Sequence, residues 1–169
     1  GFVAGLNVVD GSLAWKAFST GPDAEVLIRD EFRPPYPKDQ GANLGVTTWP
    51  GDQWELGGST VWAWLTYDPE LNLLFHGTAN PGPWNHETRP GDNKWSATVF
   101  ARRPDTGEAI WAYQITPHDA HDYDGVNENI VVSLPMGAGG AARKVLVRFD
   151  RNGFAYVQDA ATGRVLSAP

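Results

Sequence analysis

Two carboxylates in the second half of the chain are spaced so that they could do chemistry together. Asp122 and Asp124 lie two residues apart in the segment HDAHDYDGVN, residues 118–127, and Gly125 closes the loop that carries them. Carboxylate oxygens are the hard ligands that calcium-like cations prefer, and one free oxygen can take a proton from a substrate. The spacing therefore predicts a metal site with a general base. The alternative is a solvated turn, with Asp124 as an Asx-turn residue before Gly125.

Three further segments accompany this loop in a fixed order. Residues 57–81 read GGSTVWAWLTYDPELNLLFHGTANP, residues 89–95 read RPGDNKW, and residues 150–153 read DRNG. Together with TPHD at residues 116–119, these segments closely resemble the pyrroloquinoline quinone (PQQ)-dependent alcohol dehydrogenases, the quinoproteins typified by methanol dehydrogenase. The resemblance covers essentially the whole chain and is most specific from Trp54 to Arg151.

The resemblance implies roles for individual residues. PQQ would stack on Trp62, with Thr60 as a further polar contact, and Arg151 would bind the cofactor and assist catalysis by hydrogen-bonding the reactive quinone oxygen. Asn80 would be the amide ligand of the catalytic metal ion. Asp122 would be both a metal ligand and the catalytic base.

Asp124 bears on the identity of the metal. The resemblance implies that calcium-dependent enzymes carry a small uncharged residue at this position, whereas the lanthanide-dependent branch carries an additional aspartate, as this chain does. A trivalent ion of calcium-like radius prefers more oxygen ligands and more compensating negative charge. We therefore expect Asn80, Asp122 and Asp124 to hold a lanthanide ion, with calcium as the alternative.

The activity implied by the resemblance is the oxidation of methanol or another short primary alcohol to an aldehyde. The quinone would accept the hydride, and a c-type cytochrome would receive the electrons. The resemblance also implies a periplasmic parent enzyme that is a homodimer.

Composition and charge argue against several other functional classes of protein. The net charge of −7 argues against a nucleic-acid or anionic-lipid partner. No stretch approaches the ~18 apolar residues of a membrane span, so we expect none. The absence of cysteine leaves the redox compartment open.

The strand pattern predicts an all-β fold. Eight tryptophans and 19 glycines suit many short strands joined by tight turns. Residues 98–101 and 109–113 read as two strands, and residues 145–149 and 154–158 as a hairpin around the turn at residues 150–153. We expect one domain over residues 1–169, with a proline-rich, loop-like insertion at residues 16–58 and a second long loop at residues 114–142.

A repeat points to a propeller. A turn glycine is followed four residues later by tryptophan at Gly11 and Trp15 and again at Gly107 and Trp111, while Gly163 has Ser167 at the equivalent position. This resembles the tryptophan-docking motif of quinoprotein propellers, in which the ring packs between neighbouring blades. An eight-bladed propeller needs roughly 400 residues at ~50 per blade, so we expect about three blades, and hence a fragment that is inactive in isolation.

Other interpretations of the same residues remain open. Trp62 and Trp64 alternate as core tryptophans on a strand would, although the resemblance directs Trp62 to the cofactor and leaves Trp64 for docking or packing. Asn80 could be a turn former and Arg151 an ordinary exposed hairpin residue. At the level of function, the chain could be a non-catalytic propeller scaffold. A hydrolase with paired carboxylates is a further alternative, but it needs two carboxyls that straddle a cleft.

Overall fold

The computed structural model describes residues 1–136 and 139–169, and these form ten strands and two very short helices. The strands are β1 (Phe2–Leu6), β2 (Leu13–Phe18), β3 (Thr66–Asp68), β4 (Leu73–Gly77), β5 (Thr98–Arg102), β6 (Ala109–Gln114), β7 (Ile130–Met136), β8 (Ala141–Phe149), β9 (Ala155–Asp159) and β10 (Val165–Ser167). The helices α1 (Asp23–Val26) and α2 (Leu44–Thr47) have four residues each, and 3₁₀ turns cover Pro37–Asp39, Gln53–Leu56 and His86–Thr88. The all-β prediction is confirmed.

The strands form three antiparallel sheets whose order follows the chain. One four-stranded sheet has the order β3-β4-β5-β6, a second has the order β10-β9-β8-β7, and β1 pairs with β2 alone. Short connections explain this order, because consecutive antiparallel strands can be joined by tight turns. Such four-stranded meanders are the blades from which propellers are built.

The main core lies between the two four-stranded sheets. Phe75, Val99 and Trp111 of the first sheet pack with Leu146 and Tyr156 of the second. All five residues of β5 are buried, so this central strand is covered on both faces. The packed faces hold the two sheets against each other and fix the loops at their ends.

The tryptophan repeat makes the predicted contacts between sheets. The Trp15 Nε1 donates to the Pro104 carbonyl at 2.8 Å, and a Cβ placed on Gly107 would lie 2.4 Å from the Trp15 ring. The Trp111 Nε1 donates to the Ala160 carbonyl at 3.1 Å, and a Cβ on Gly163 would lie 2.5 Å from the Trp111 ring. Each ring therefore packs on the turn glycine of the next sheet, which confirms the docking motif.

The two long loops were predicted only in part. Residues 16–18 belong to β2, and four short helical turns interrupt the loop over residues 19–56. The prediction of a loop over residues 114–142 is wrong at β7, a largely exposed edge strand that pairs with β8. Pro135 argues against a strand in the sequence pattern. The strand forms because proline is tolerated where a strand has only one neighbour. The prediction for residues 137–138 lies outside the described residues.

No helix in the described ranges has the length and apolar character needed to cross a membrane.

Candidate functional site

Backbone hydrogen bonds place the segment that carries the predicted cofactor contacts Thr60 and Trp62 beside Asn80. The Ser59 N–H donates to the Asn80 carbonyl at 2.7 Å, and the Ala79 N–H donates to the Thr60 carbonyl at 2.9 Å. Thr60 therefore lies next to the backbone on which Asn80 sits, and Trp62 follows two residues later.

The prediction that Trp62 and Trp64 alternate along a strand is wrong. Only an isolated bridge between Gly58 and Pro81 forms there, because the segment pairs for too short a distance to make a ladder. Trp62 is 58% exposed and Trp64 is 69% exposed. Trp64 is thus not a buried packing residue in this structure, while the exposed face of Trp62 is available to a ligand.

Two glycines bring the Asp122–Asp124 loop against the end of β4. A Cβ on Gly77 would lie 1.7 Å from the Gly125 carbonyl oxygen, and a Cβ on Gly125 would lie 2.7 Å from the Ala97 carbonyl carbon. Real side chains do not fit at such distances, so both positions require glycine. The close approach places the loop against Gly77, which lies three residues before Asn80 in the sequence.

Asp124 contacts two of the other predicted site residues, Asn80 and Arg151. The side chain is nearly buried, with 5% of the residue exposed. The Asp124 Oδ1 accepts the Asn80 backbone N–H at 2.8 Å, and its Oδ2 accepts a hydrogen bond from the Arg151 Nη1 at 2.9 Å. These partners are distant in sequence, so the carboxylate links three loops instead of closing a local Asx turn.

Three carboxylates lie close together in this cluster, and their repulsion affects Asp124. Burial raises the pKa of Asp124, and the neighbouring carboxylates of Asp122 and Asp119 raise it further, while the Asn80 N–H and Arg151 oppose the rise. A cation beside these carboxylates would relieve their mutual repulsion.

Asp122 is exposed and held by its backbone. Its φ is 61°, and its carbonyl oxygen accepts a hydrogen bond from the Arg151 Nη1 at 3.4 Å. Its carboxylate takes part in no hydrogen bond with the described residues. Asp122 therefore has oxygens free for a metal ion or a substrate proton.

A groove of about 300 Å³ opens beside these residues. Trp62 and Arg151 line it together, so the predicted stacking ring and the predicted quinone hydrogen-bond donor face one space. The other lining residues are Ala63, Trp64, Val126, Asn127 and Glu128.

The donor set fits a hard cation but does not complete its coordination. Asn80, Asp122 and Asp124 offer one amide and two carboxylates, and within residues 1–136 and 139–169 no three His, Cys, Asp or Glu side chains form a metal-binding group. A carboxylate oxygen that accepts a hydrogen bond retains a second lone pair for a metal. Calcium-like ions take six to eight oxygens, so these residues could hold only part of the coordination shell.

Sequence analysis missed three buried residues that hold the loop. They are Arg89, Asp119 and Arg148. Arg148 donates from its Nη2 to the Gly125 carbonyl at 3.0 Å and to the Asp150 Oδ2 at 2.8 Å. Asp119 could have been noticed because aspartate often forms an Asx turn with the backbone N–H two residues later, here that of His121. No local sequence pattern marks the two arginines.

Comparisons with known proteins agree with this architecture. The family described as "PQQ: Glucose/ethanol/alcohol dehydrogenase, beta-propeller domain" matches residues 1–168. A lanthanide-dependent methanol dehydrogenase of Methylacidiphilum fumariolicum (strain SolV) is 53% identical over 169 residues, which are 99% of this chain and 27% of that protein. Methanol dehydrogenase (cytochrome c) subunit 1 of Paracoccus denitrificans is 46% identical over 168 residues, which are 99% of this chain and 26% of that protein.

A solved structure is similar as well. A europium-containing methanol dehydrogenase superposes with a TM-score of 0.93 at 52% identity, over 99% of this chain and 29% of that one. The chain thus spans little more than a quarter of the length of the relatives it matches. The family match over nearly all residues, the meander sheets and the docked tryptophans together show that the chain belongs to the PQQ-dependent glucose, ethanol and alcohol dehydrogenases and is part of their β-propeller domain.

Proposed function

We propose that the full-length protein oxidises methanol or another short primary alcohol to an aldehyde, using PQQ and a lanthanide ion. The observation that carries this proposal is the position of Asp124, whose carboxylate is buried between the Asn80 N–H and the Arg151 guanidinium. An added carboxylate beside Asp122 and Asn80 suits an ion of higher charge than calcium. The names of two similar proteins, lanthanide-dependent and europium-containing, support the same choice.

Trp62, Thr60 and Arg151 are the residues that would hold PQQ. An exposed indole face suits a planar ring system. Arg151 uses only its Nη1 in hydrogen bonds with the described residues, so the rest of its planar donor fork is available to a carbonyl oxygen of the ligand.

Asn80, Asp122 and Asp124 are the residues that would hold the metal. When bound, PQQ supplies two-electron redox chemistry, and the metal ion supplies a Lewis acid beside it. The Asn80 backbone fixes one Asp124 oxygen, which orients this carboxylate before any ion arrives.

Asp122 is the residue that would accept the hydroxyl proton of the alcohol. Its exposed carboxylate has no hydrogen-bond partner in the described part of the chain, so it is free to reach a substrate. A general base must lie within hydrogen-bond reach of the proton that it removes. The groove lined by Trp62 and Arg151 gives a small alcohol a place beside this loop.

The remaining parts of the proposal concern the whole protein. A c-type cytochrome is the proposed electron acceptor, and the name of the Paracoccus denitrificans relative supports it. A periplasmic location and a homodimer are also proposed, with the family resemblance as their support.

Binding of PQQ tests the cofactor site directly. We would titrate the full-length protein with PQQ and follow indole fluorescence in the wild type and in the variants Trp62→Leu and Trp84→Leu. Trp84 is a matched control, since it is 71% exposed and does not line the Trp62 groove. Loss of one stacking partner should weaken PQQ binding about tenfold or more in Trp62→Leu, since ring stacking contributes roughly 1–3 kcal/mol.

The control variant and a variant of the proposed catalytic base complete this test. Trp84→Leu should bind PQQ as the wild type does, and Asp122→Asn should retain PQQ but lose dye-linked methanol oxidation. Equal PQQ affinity in Trp62→Leu and Trp84→Leu would refute the placement of the cofactor on Trp62.

A further inference from the structure

One buried carboxylate organises the whole Asp122–Asp124 loop. Asp119 is 1% exposed. Its Oδ1 accepts the His121 N–H at 2.9 Å, and its Oδ2 accepts the N–H groups of Tyr123 at 2.9 Å and Asp124 at 3.3 Å. Three of the five backbone N–H groups that follow Asp119 are therefore fixed by this side chain.

The loop needs such support because of its backbone conformation. Asp122 and Asp124 both have a φ of 61°, in the left-handed region. Residues other than glycine enter that region at a cost, although aspartate tolerates it better than most. Hydrogen bonds from the turn's own N–H groups to Asp119 stabilise this conformation against extended alternatives.

Arg89 connects Asp119 to the segment that follows Asn80. The Arg89 guanidinium is buried and donates from its Nη2 to the Asp119 carbonyl at 2.7 Å and from its Nε to the Pro83 carbonyl at 2.7 Å. Burial lowers the pKa of Arg89, and the nearby charge of Asp119 opposes that change. Arg89 thus joins the segment that follows Asn80 to the loop that carries Asp122 and Asp124 through hydrogen bonds to two backbone carbonyls.

We propose that Asp119 is a positioning residue for the metal site: it holds Asp122 and Asp124 in a metal-binding arrangement without being a ligand itself. The inference rests on the proposed function. Both Asp119 oxygens are directed at backbone N–H groups, so its contribution acts through the backbone of the residues that would bind the ion. Partners of this kind typically change metal affinity 10–100-fold when they are replaced.

The test compares Asp119 with a second buried aspartate that also accepts hydrogen bonds from the backbone N–H groups that follow it. Asp68 is the last residue of β3 and is 7% exposed. It accepts the N–H groups of Glu70 at 3.0 Å and Leu71 at 2.9 Å and also forms an ion pair with Lys144 at 2.8 Å. We would make Asp119→Asn and Asp68→Asn in the full-length protein, together with Asp124→Ala. Lanthanum binding would be measured by calorimetric titration and folding by thermal unfolding.

Asp119→Asn keeps one acceptor oxygen but places an NH₂ group against at least one of the three N–H donors. We expect its lanthanum affinity to fall at least tenfold while the protein still unfolds cooperatively. Asp68→Asn should lose thermal stability but keep the wild-type lanthanum affinity.

The outcomes separate this inference from the function on which it rests. Failure of the wild type to bind lanthanum, or wild-type affinity in Asp124→Ala, would overturn the metal site and the inference together. Weakened binding in Asp124→Ala with wild-type affinity in Asp119→Asn would overturn the role of Asp119 alone. An Asp119→Asn protein that does not fold would assign Asp119 to the stability of the fold and would also overturn the proposal.

Discussion

The guanidinium of Arg151 and the carboxylate of Asp124 form an ion pair at 2.9 Å, with Asp124 almost buried and Arg151 half-exposed. One residue is the proposed quinone contact, and the other is a proposed metal ligand. The pair therefore links the proposed cofactor site to the proposed metal site. A substitution of either residue should change binding at both.

Removing the arginine charge should affect metal binding and turnover in opposite directions. In Arg151→Gln, lanthanum should bind about threefold or more tightly, because a positive charge next to the cation site is gone. Alcohol oxidation should fall about a hundredfold, because the proposed contact to the quinone oxygen is lost.

Calorimetric titration and a dye-linked assay on the same preparations would measure both effects. Arg164→Gln is the control, since Arg164 is an exposed arginine in another strand-joining turn, between β9 and β10. Weaker lanthanum binding in Arg151→Gln would show that Arg151 supports the metal site instead of opposing it.

Gly77→Ala should destabilise the protein and disturb the site loop. A Cβ there would lie 1.7 Å from the Gly125 carbonyl oxygen, so the loop must move. We expect the free energy of unfolding to fall by at least ~2 kcal/mol.

Chemical denaturation would measure this loss. Gly82→Ala is the comparison, because the nearest atom to a Cβ at that position is 3.2 Å away, and its cost should be much smaller. Equal stability of the two variants would contradict the close approach of the loop to β4.

His76 should make the folded state sensitive to acid. The ring is buried, and its Nε2 accepts a hydrogen bond from the Arg102 Nε at 2.9 Å. Burial and then the charge of Arg102 lower the pKa of His76 from 6.5 to about 3. As the pH falls below 6.5, the unfolded chain binds a proton that the folded protein does not, so stability is lost toward pH 3.

The slope of stability against pH is the quantity to measure. Between roughly pH 5.5 and 4, wild type should lose about 1.4 kcal/mol per pH unit more than His76→Gln. Parallel curves for wild type and His76→Gln would contradict a neutral, buried His76.

The parts of the fold that follow local rules could be predicted from sequence. Trp111 and Gly163 belong to copies of one short repeat, and both the strand pairs and the docked rings were found where the pattern placed them. The edge strand β7 was missed because its burial is slight and Pro135 interrupts its pattern.

Contacts among three of the predicted site residues agree with the sequence analysis, whereas the residues that support the loop could not be predicted. Asn80, Asp124 and Arg151 were named from the family resemblance, and the structure brings them into direct contact. Arg89 and Asp119 are 30 residues apart and interact through a backbone carbonyl. Such a contact depends on tertiary packing, which no short spacing reveals.

In the proposed function, Asp124 is the residue that makes this a lanthanide site. The most direct measurement is dye-linked methanol oxidation by the full-length protein reconstituted with PQQ, as wild type and as Asp124→Ala, each loaded separately with calcium and with lanthanum. The wild type should turn over faster with lanthanum than with calcium, because the ion of higher charge needs the added carboxylate and is the stronger Lewis acid. Asp124→Ala should lose most of its lanthanum-supported turnover. Equal lanthanum activity in the two proteins, or full wild-type activity with calcium alone, would contradict the assignment of Asp124 as a lanthanide ligand.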